Sequence, residues 1–283
     1  MSVANRSPQT VVRRSLKYLI GLIICVWMLF PIYWTLTTAL KTRSQILSST
    51  PDFIPTLITF EHFRRIFAET GLGIQSNIFN SALVAITAVG FGIVIGVPAA
   101  YALSRMQVPR KTDIGFWILS TRMAPPLTIL IPLVGFYFAA GIGQGLFALA
   151  ITHLLITLPL IIWIVKGFID DLPDSLEESA MVDGCNRIQA LRTVVLPLVA
   201  PGIAAAAFIA FIFSWNNYVL ALYLTTSSSA TLPIAVSRSV GTYSVQWGVL
   251  GAAVIVTIIP PVVLSLLIRN YLVAGMTMGA VKG

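Results

Sequence analysis

The sequence is poor in charge and in the residue types that build metal and disulfide sites. Only 10% of its 283 residues are charged, and it contains two histidines and two cysteines. His62 and His153 are far apart in the chain and are not associated with Cys25 or Cys185, so we expect no metal-ligand cluster. Two cysteines cannot form a disulfide framework. We interpret His153, which lies in an apolar run, as a hydrogen-bonded packing residue.

Further absences argue against whole classes of function. No G-x-x-x-x-G-K-[ST] loop occurs, so the chain has no recognisable site for nucleotide hydrolysis. A nucleophilic triad needs a carboxylate placed beside a base and a serine, and the long apolar runs contain no acidic residue. Proton- and sodium-coupled carriers usually place Asp, Glu or His on the ion path. The sequence therefore disfavours an ion-coupled secondary carrier. A membrane enzyme or scaffold is a second alternative function.

What the chain has in abundance is apolar sequence. Hydrophobic residues make up 57% of it, and the mean hydropathy is +0.90. A soluble domain averages about 25% charged residues, so this composition predicts an all-α integral membrane protein in a lipid bilayer. The net charge of +8 does not indicate a nucleic-acid partner, because the cations are scattered and no basic face interleaved with aromatics occurs.

Gaps between charged residues locate six predicted spans. The gap from Asp113 to Lys166 contains only Arg122 and is too long for one crossing, so we divide it at Gly141–Gly145. The first span follows basic residues, as a signal peptide would, but it is too long and lacks a small-x-small cleavage site. The predicted spans cover residues 18–40, 79–103, 114–139, 146–168, 200–224 and 248–272.

The distribution of Lys and Arg predicts the orientation. With a cytoplasmic N-terminus, twelve cations lie inside and five outside, and Arg122 within a span completes the 18. The N-terminal residues 1–17, the C-terminal residues 273–283 and the segment 170–199 are then cytoplasmic. The two long outer segments, residues 42–76 and 225–247, either contact a soluble partner or are plain connecting loops.

Six of the ten acidic residues lie within residues 170–199, here called the charged loop. We predict two short helices in it. The first has Pro173 in its opening turn and a capping box from Ser175 to Glu178. It stops at Gly184, which is expected to need a positive φ. The second starts at Asn186 and ends at Pro197. Such a loop has the form of a docking element.

The spacing in this loop resembles the EAA loop of ABC importer permeases. Glu178-Ser179-Ala180 is followed, after three residues, by Gly184 and, after nine more, by Val194-x-Leu196-Pro197. The family pattern is E-A-A, three residues, G, nine residues, I-x-L-P, so this sequence departs from it only at Ser179 and Val194.

The resemblance extends over nearly the whole chain. Several segments are similar to permeases of the carbohydrate-uptake branch, and the final residues, 275–283, are similar to the tail of the maltose-type second permease subunit. The similar segments are Phe30-Pro31-Ile32-Tyr33-Trp34, Lys41-Thr42, Asn80-Ser81, residues 99–105 (AAYALSR) and Trp215-Asn216-Asn217-Tyr218, where the branch has W-N-E-F.

The resemblance implies a type I ABC importer permease, with six transmembrane helices and a cytoplasmic coupling helix between helices 4 and 5. Such a chain is a transport subunit and not an enzyme. It moves a sugar or sugar-like solute (a mono- or oligosaccharide, polyol or sugar derivative) across the bacterial inner membrane by alternating access. The implied partners are a second homologous permease in a heterodimer, a cytoplasmic ABC ATPase dimer and an extracytoplasmic binding protein. No cofactor is expected in this chain, because ATP and Mg would be bound by the ATPase.

Two sets of residues are expected to contact the ATPase. Glu178 of the charged loop should meet a basic residue of the partner. The C-terminal set is Thr277, Gly279 and Lys282, unless the tail is a frayed end. The charged-loop set is Leu176, Glu177, Glu178, Ala180, Asp183, Gly184, Leu196 and Pro197.

The solute pathway is predicted from two polar features within spans, and the first is the aromatic–amide segment near the end of the fifth span. An aromatic ring beside amides suits a sugar, whereas amides also commonly join helices in membrane bundles. Because successive helix residues turn by about 100°, Trp215 and Tyr218 should share the pathway face with Asn217 at its edge. Asn216 should instead bond a neighbouring helix.

The second feature is Arg122, well inside the third predicted span. A cation there is costly unless it is paired or hydrated. Pro125 and Pro126 should break the helix locally and free carbonyl groups. Arg122 therefore either bonds these carbonyls or lines a polar cavity on the pathway.

Overall fold

Helices make up nearly all of the described chain. The computed structural model describes residues 8–68, 73–241 and 245–278. In these ranges extended segments pair only at two isolated bridges, Lys41 with Ile58 and Val240 with Val245. The helices are α1 (Pro8–Leu40), α2 (Arg43–Ile46), α3 (Glu61–Phe67), α4 (Ile74–Arg105), α5 (Lys111–Ser120), α6 (Pro126–Ala139), α7 (Leu146–Asp170), α8 (Asp174–Val182), α9 (Arg187–Ala190), α10 (Leu196–Trp215), α11 (Val219–Leu224), α12 (Leu232–Ser237) and α13 (Trp247–Met278).

Five helical segments of the described chain are long and apolar enough to cross a membrane, and the bent pair α5–α6 makes a sixth if it is counted as one span. The bend lies at two adjacent prolines. α5 continues as a 3-10 turn, Thr121–Met123, and α6 begins at Pro126, after a bend of 92°. Prolines lack the N–H that would continue the helix, and their rings clash with carbonyls four residues back. The predicted local break is confirmed, but the span is not one straight helix over residues 114–139.

The chain divides into two compact units, and the larger contains residues 74–237 and 259–283. Within it, α7 packs against both α4 and α10. Small residues allow the close approach that is usual between membrane helices. A Cβ at Gly92 of α4 would lie 2.7 Å from Ile161 Cδ1 of α7, and Gly202 of α10 faces the ring of Phe168. This core holds the end of α4 beside the end of α7, where the charged loop begins.

The smaller unit contains residues 1–73 and 238–258, and in its described part the chain after α1 folds back on that helix. The buried Lys41 ammonium donates to the carbonyl oxygen of Asp52 and lies 4.5 Å from the ring centroid of Trp34. His62 Nε2, on α3, is 3.0 Å from the Lys41 carbonyl oxygen. This contact joins α3 to the residue that follows α1.

The charged loop runs into the fifth span without the predicted stop at Pro197. α9 continues through a π turn, Leu191–Val195, in which the N–H of Leu196 donates to the Leu191 carbonyl, and α10 follows directly. Pro197 follows directly on the π turn, so the N–H that it lacks falls where the helix already departs from the regular i→i−4 pattern. The prediction that this residue ends the second loop helix was wrong for that reason.

Other helix bounds also differ from the predicted spans. α1 begins at Pro8 and α4 at Ile74, before the predicted starts at residues 18 and 79. α10 ends at Trp215, and the predicted span 200–224 is completed by the separate helix α11. α13 continues to Met278, beyond the predicted end at residue 272.

Candidate functional site

The charged loop forms a short helix, a tight reversal and a second helix. Gly184 has φ +94°, which confirms the predicted left-handed backbone after α8. Asn186 caps α9 as predicted: its Oδ1 accepts from the Gln189 N–H at 2.9 Å, and the Gln189 side chain accepts from the Asn186 N–H at 2.8 Å. The reversal is therefore fixed from both sides by local geometry.

The predicted capping box from Ser175 to Glu178 was wrong. The helix begins two residues earlier than that box requires, with Pro173 in extended backbone at the cap and Asp174 as the first helical residue. Ser175 therefore lies inside the first turn, and its carbonyl accepts from Ser179 Oγ at 2.7 Å.

Arg105, the last residue of α4, holds the beginning of the charged loop. Its Nη2 donates to the carbonyl oxygens of Ile169 at 2.9 Å and Leu172 at 2.7 Å. Its Nη1 pairs with Asp174, and its Nε lies 3.4 Å from Glu177 Oε2. Carbonyls at the end of a helix lack intrahelical donors, and a cation there also suits the helix dipole. One guanidinium thus joins the ends of α4 and α7 to the start of α8.

Glu177 is buried, with 5% exposure, although it is a carboxylate on a charged loop. The Tyr101 hydroxyl donates to Glu177 Oε1, and Arg105 Nε lies 3.4 Å from the other carboxylate oxygen, Oε2. Nearby, Ser104 Oγ donates to Asp170 Oδ1 at 2.5 Å. A buried carboxylate needs such partners to remain charged, so these contacts fix the face that α8 turns toward α4.

The opposite face of the charged loop is exposed and partly apolar. Val182 at the end of α8 is 87% exposed, and Ile188 of α9 is 64% exposed. Leu176 and the carboxylates Glu178 and Asp183 are also exposed. This combination of apolar and acidic side chains on an anchored helix is suited to contact with another protein.

A second candidate site is a cavity of about 250 Å³ beside the α5–α6 bend. The Arg122 guanidinium lies over the ring of Phe213, 4.8 Å from its centroid, and Asn217 and Thr152 line the same cavity. The remaining lining is mostly apolar, and it contains no Asp, Glu or His. The lining residues are Thr121, Arg122, Ala124, Pro126, Ile129, Leu130, Leu133, Thr152, Leu155, Ile156, Phe213, Asn217 and Leu220.

The amides after α10 bond mainly to local backbone. Asn217 Oδ1 accepts from the Leu220 N–H at 3.0 Å, which caps the start of α11. Asn216 is exposed, and its Nδ2 donates to the Ile212 carbonyl of its own helix at 3.0 Å. The expectation that Asn216 bonds a neighbouring helix is therefore not met.

The helix break also separates the predicted pathway residues. Trp215 is 1% exposed and stacks on Phe211, with 5.5 Å between centroids, and Tyr218 lies outside the cavity lining. The shared-face argument was wrong because it required one continuous helix through residue 218. The structure brings Arg122 and Asn217 together and leaves the two aromatic residues elsewhere.

The comparison with known proteins shows which family the chain belongs to. The family described as "Binding-protein-dependent transport system inner membrane component" matches residues 92–278, well over half of the chain. The chain belongs to this family. The matched range includes the charged loop, and the predicted fold class is confirmed. The family consists of transport subunits and not of enzymes.

Three curated relatives are similar to the permease over nearly their whole length. It is 34% identical over 264 residues to the diacetylchitobiose uptake system permease protein DasC of Streptomyces coelicolor, covering 93% of this chain and 95% of the relative. It is 35% identical over 266 residues to the trehalose transport system permease protein SugB of Mycobacterium tuberculosis, covering 90% and 93%. It is 32% identical over 271 residues to the sulfoquinovosyl glycerol transport system permease protein SmoH of Agrobacterium fabrum, covering 95% and 94%.

A solved structure has the same fold. A chain of a bacterial ABC transporter involved in the import of the acidic polysaccharide alginate aligns with a TM-score of 0.76 and 20% identity, covering 94% of the permease and 99% of that chain. The likeness is one of fold.

The predicted ATPase-contact residues fall into two groups in the permease. Glu177 and Ala180 are buried within the chain, and Leu196 is half-buried. Leu176, Glu178, Asp183, Gly184 and Pro197 are exposed. Of the C-terminal set, Thr277 lies in α13, while Gly279 and Lys282 lie outside the described residues.

Sequence reasoning missed the residues that hold the loop. Tyr101, Ser104 and Arg105 were noted only as part of a segment similar to other permeases. The available signal was a Tyr, a Ser and an Arg in the last two turns of an apolar span.

His153, in contrast, is the packing residue that was predicted: it is buried, with Nδ1 2.6 Å from Ser214 Oγ.

Proposed function

We propose that this permease moves a sugar or sugar-like solute from an extracytoplasmic binding protein into the cytoplasm, driven by a separate ATPase that docks on the charged loop. The observation that carries the proposal is the anchored α8, with an apolar and acidic face exposed at Val182, Leu176 and Glu178. The spacing of residues in this charged loop matches the family's EAA pattern, and the chain contains no phosphate-binding loop of its own. ATP and Mg would therefore be bound by the partner.

The orientation and the remaining partners belong to the same proposal. The excess of Lys and Arg on one side supports a cytoplasmic charged loop with both termini on that side. A second homologous permease would complete a heterodimer. Residues 14–33 of α1 are all exposed in this chain, which leaves the helix available to lipid and to that subunit.

Carbohydrate is the proposed solute class. Relatives with 32–35% identity are named for diacetylchitobiose, trehalose and sulfoquinovosyl glycerol, three solutes with sugar units. The cavity at the α5–α6 bend fits part of such a pathway, because the Arg122 guanidinium and the Asn217 amide can donate to hydroxyl groups beside the Phe213 ring. Its lack of acidic and histidine side chains disfavours an ion-coupled carrier.

Uptake into proteoliposomes that contain the assembled complex tests the proposal. We expect uptake of trehalose, a diacetylchitobiose or a related sugar to require ATP on the side of the charged loop and the binding protein on the other side. A complex with a hydrolysis-deficient ATPase is the matched control and should not transport. An uncoupler at constant ATP should leave uptake unchanged, whereas collapse of uptake would establish an ion-coupled carrier instead.

A further inference from the structure

We propose that Tyr101, Arg105 and Glu177 form a latch that makes α4 and α8 move as one body, so that α4 carries the displacement of the charged loop to the opposite end of the permease. The inference rests on the proposed function, since it concerns the response to an ATPase docked on α8. These three are positioning residues: they act on α8 and α4 and are not placed in contact with solute or nucleotide.

The latch joins elements that are distant in the chain. Tyr101 and Glu177 are 76 residues apart, and their contact is a direct side-chain hydrogen bond. Through the chain itself, α8 is attached only to α7 on one side and to α9 and α10 on the other. Without the latch, a force on α8 would reach the bundle only through those neighbours. With the latch in place, a force on α8 also acts directly on α4.

Burial makes the latch stiff. The Arg105 and Glu177 side chains are 12% and 6% exposed, so water has little access to their contact. Removal of one partner from a buried ion pair leaves the other charge uncompensated, which strongly opposes separation of the two helices. Glu177 therefore cannot turn toward a docked protein without losing both Tyr101 and Arg105. Its neighbour Glu178 is exposed and free to make that contact.

The other end of α4 is clamped as well. Asn77 Nδ2 and Asn80 Nδ2 both donate to the Ala230 carbonyl, at 2.8 and 3.0 Å, and Ser81 Oγ accepts from the Leu232 N–H at 2.8 Å. α4 is continuous from Ile74 to Arg105, through Pro98. At 1.5 Å per residue it spans about 48 Å. One helix thus bonds the charged loop at one end and residues 230–232 at the other, which the predicted topology places outside.

The two ends differ in how they are held. At the charged loop the bonds involve ionised side chains, whereas at the other end neutral amides and a hydroxyl bond to backbone. Charge-assisted bonds are roughly twice as strong as neutral ones. A displacement of α8 should therefore move α4 while the charged bonds at this end stay intact. The weaker bonds from Asn77, Asn80 and Ser81 should break first, so we expect residues 230–232 to rearrange.

The test uses the complete complex with its ATPase and binding protein. Tyr101→Phe removes one hydroxyl, and Glu177→Gln removes the charge at almost constant shape. Each should lower the stimulation of ATP hydrolysis by solute-loaded binding protein about fivefold or more, at an unchanged amount of assembled complex. Tyr101→Phe removes the hydrogen bond to Glu177 Oε1, and Glu177→Gln removes the charge that faces Arg105. Because both variants weaken one latch, the double variant should be less impaired than the sum of the two single effects predicts. Lys166→Gln, which breaks the partly exposed Lys166–Asp170 pair at the same end of α7, is the control and should have no effect.

Stimulation equal to that of the Lys166→Gln control in assembled Tyr101→Phe and Glu177→Gln complexes would overturn the latch. A wild-type complex with no ATP-dependent uptake would instead overturn the proposed function. The two failures are therefore distinguishable.

A second measurement keeps the test independent of a folding defect. The variant Tyr101→Cys/Glu177→Cys, in a background with Cys25→Ser and Cys185→Ser, can be joined by a short thiol cross-linker. If α4 and α8 move as one body, the cross-link should restore the stimulation that the uncross-linked pair lacks. Inhibition by the cross-link would show that the two helices must separate, and the proposal would be wrong.

Discussion

Gly184→Val should abolish solute uptake and substrate-stimulated ATP hydrolysis while leaving the permease inserted in the membrane. The residue has φ +94°, a conformation that a β-branched side chain adopts only with strain. No atom lies within 4 Å of a Cβ built at this position, so the cost is one of backbone and not of collision. We expect about 1–2 kcal/mol of strain, relieved by reopening the reversal between α8 and α9.

The reversal depends on two backbone bonds that surround this glycine. The Gly184 N–H donates to the Met181 carbonyl at 3.1 Å, and the Cys185 N–H donates to the Ala180 carbonyl at 3.0 Å. Both would be lost if φ returned to negative values, and Val182 would no longer be presented in the same direction. Membrane content by immunoblot, uptake and ATP hydrolysis separate a docking defect from a folding defect.

The matched control changes the side chain at the same position. Asn enters the left-handed region at lower cost than Val, so Gly184→Asn should retain a substantial part of the uptake. If Gly184→Val transports as well as the wild type, the geometry of the reversal has no part in coupling.

Gly202→Val should lower the amount of folded permease severalfold, because it separates two spans that carry the charged loop. A Cβ at Gly202 of α10 would lie 2.3 Å from Cγ and 2.5 Å from Cδ2 of Phe168 on α7. Cγ is near the base of the side chain, so rotation of the ring cannot clear it. Overpacking of this kind costs roughly 1–3 kcal/mol. Detergent-resistant folded protein, measured by size-exclusion chromatography, gives the direct readout.

Complementary variants test the same contact. Phe168→Ala should recover part of the yield when it is combined with Gly202→Ala, since the ring that the new methyl group meets is gone. Gly90→Ala on α4, where no atom lies within 4 Å of the new Cβ, should behave as the wild type. Equal losses from Gly90→Ala and Gly202→Ala would show that helix propensity or expression, and not this contact, sets the yield.

The spans and the charged loop were predictable because their signals are local. An apolar run of about 20 residues has few alternatives to a membrane helix, and a glycine between two short helices implies the backbone it adopts. The same holds for the break at Pro125 and Pro126, which follows from missing N–H groups. Its 92° angle does not follow, because the direction of the second helix is set by what it packs against.

The partners of adjacent carboxylates were not predictable from the loop alone. Glu177 and Glu178 are one residue apart and so point about 100° from each other on α8. Which of the two is buried depends on the position of Arg105 and Tyr101, more than 70 residues earlier in the chain. Only packing of α4 against α7 brings those residues to the loop.

The end of α10 was mispredicted for a different physical reason. Apolar composition favours one span over residues 200–224, but the Asn217 side chain bonds the Leu220 N–H and begins a new helix. Asparagine competes with helix continuation in this way wherever its side chain can cap. A pair of asparagines late in an apolar span was therefore the signal of a break, and we interpreted it only as part of the solute pathway or as a bond to a neighbouring helix.

Photo-cross-linking from position 182 tests the central claim most directly, namely that a separate ATPase docks on the charged loop from the cytoplasm. Val182 is 87% exposed at the end of α8, and Ile54, in the predicted outer segment, is 74% exposed and serves as the matched position. With a photoreactive amino acid at residue 182, we expect a cross-link to the ATPase subunit that residue 54 does not form. Absence of that cross-link in a complex that transports, or labelling of residue 182 from the outer side of intact cells, would contradict the account.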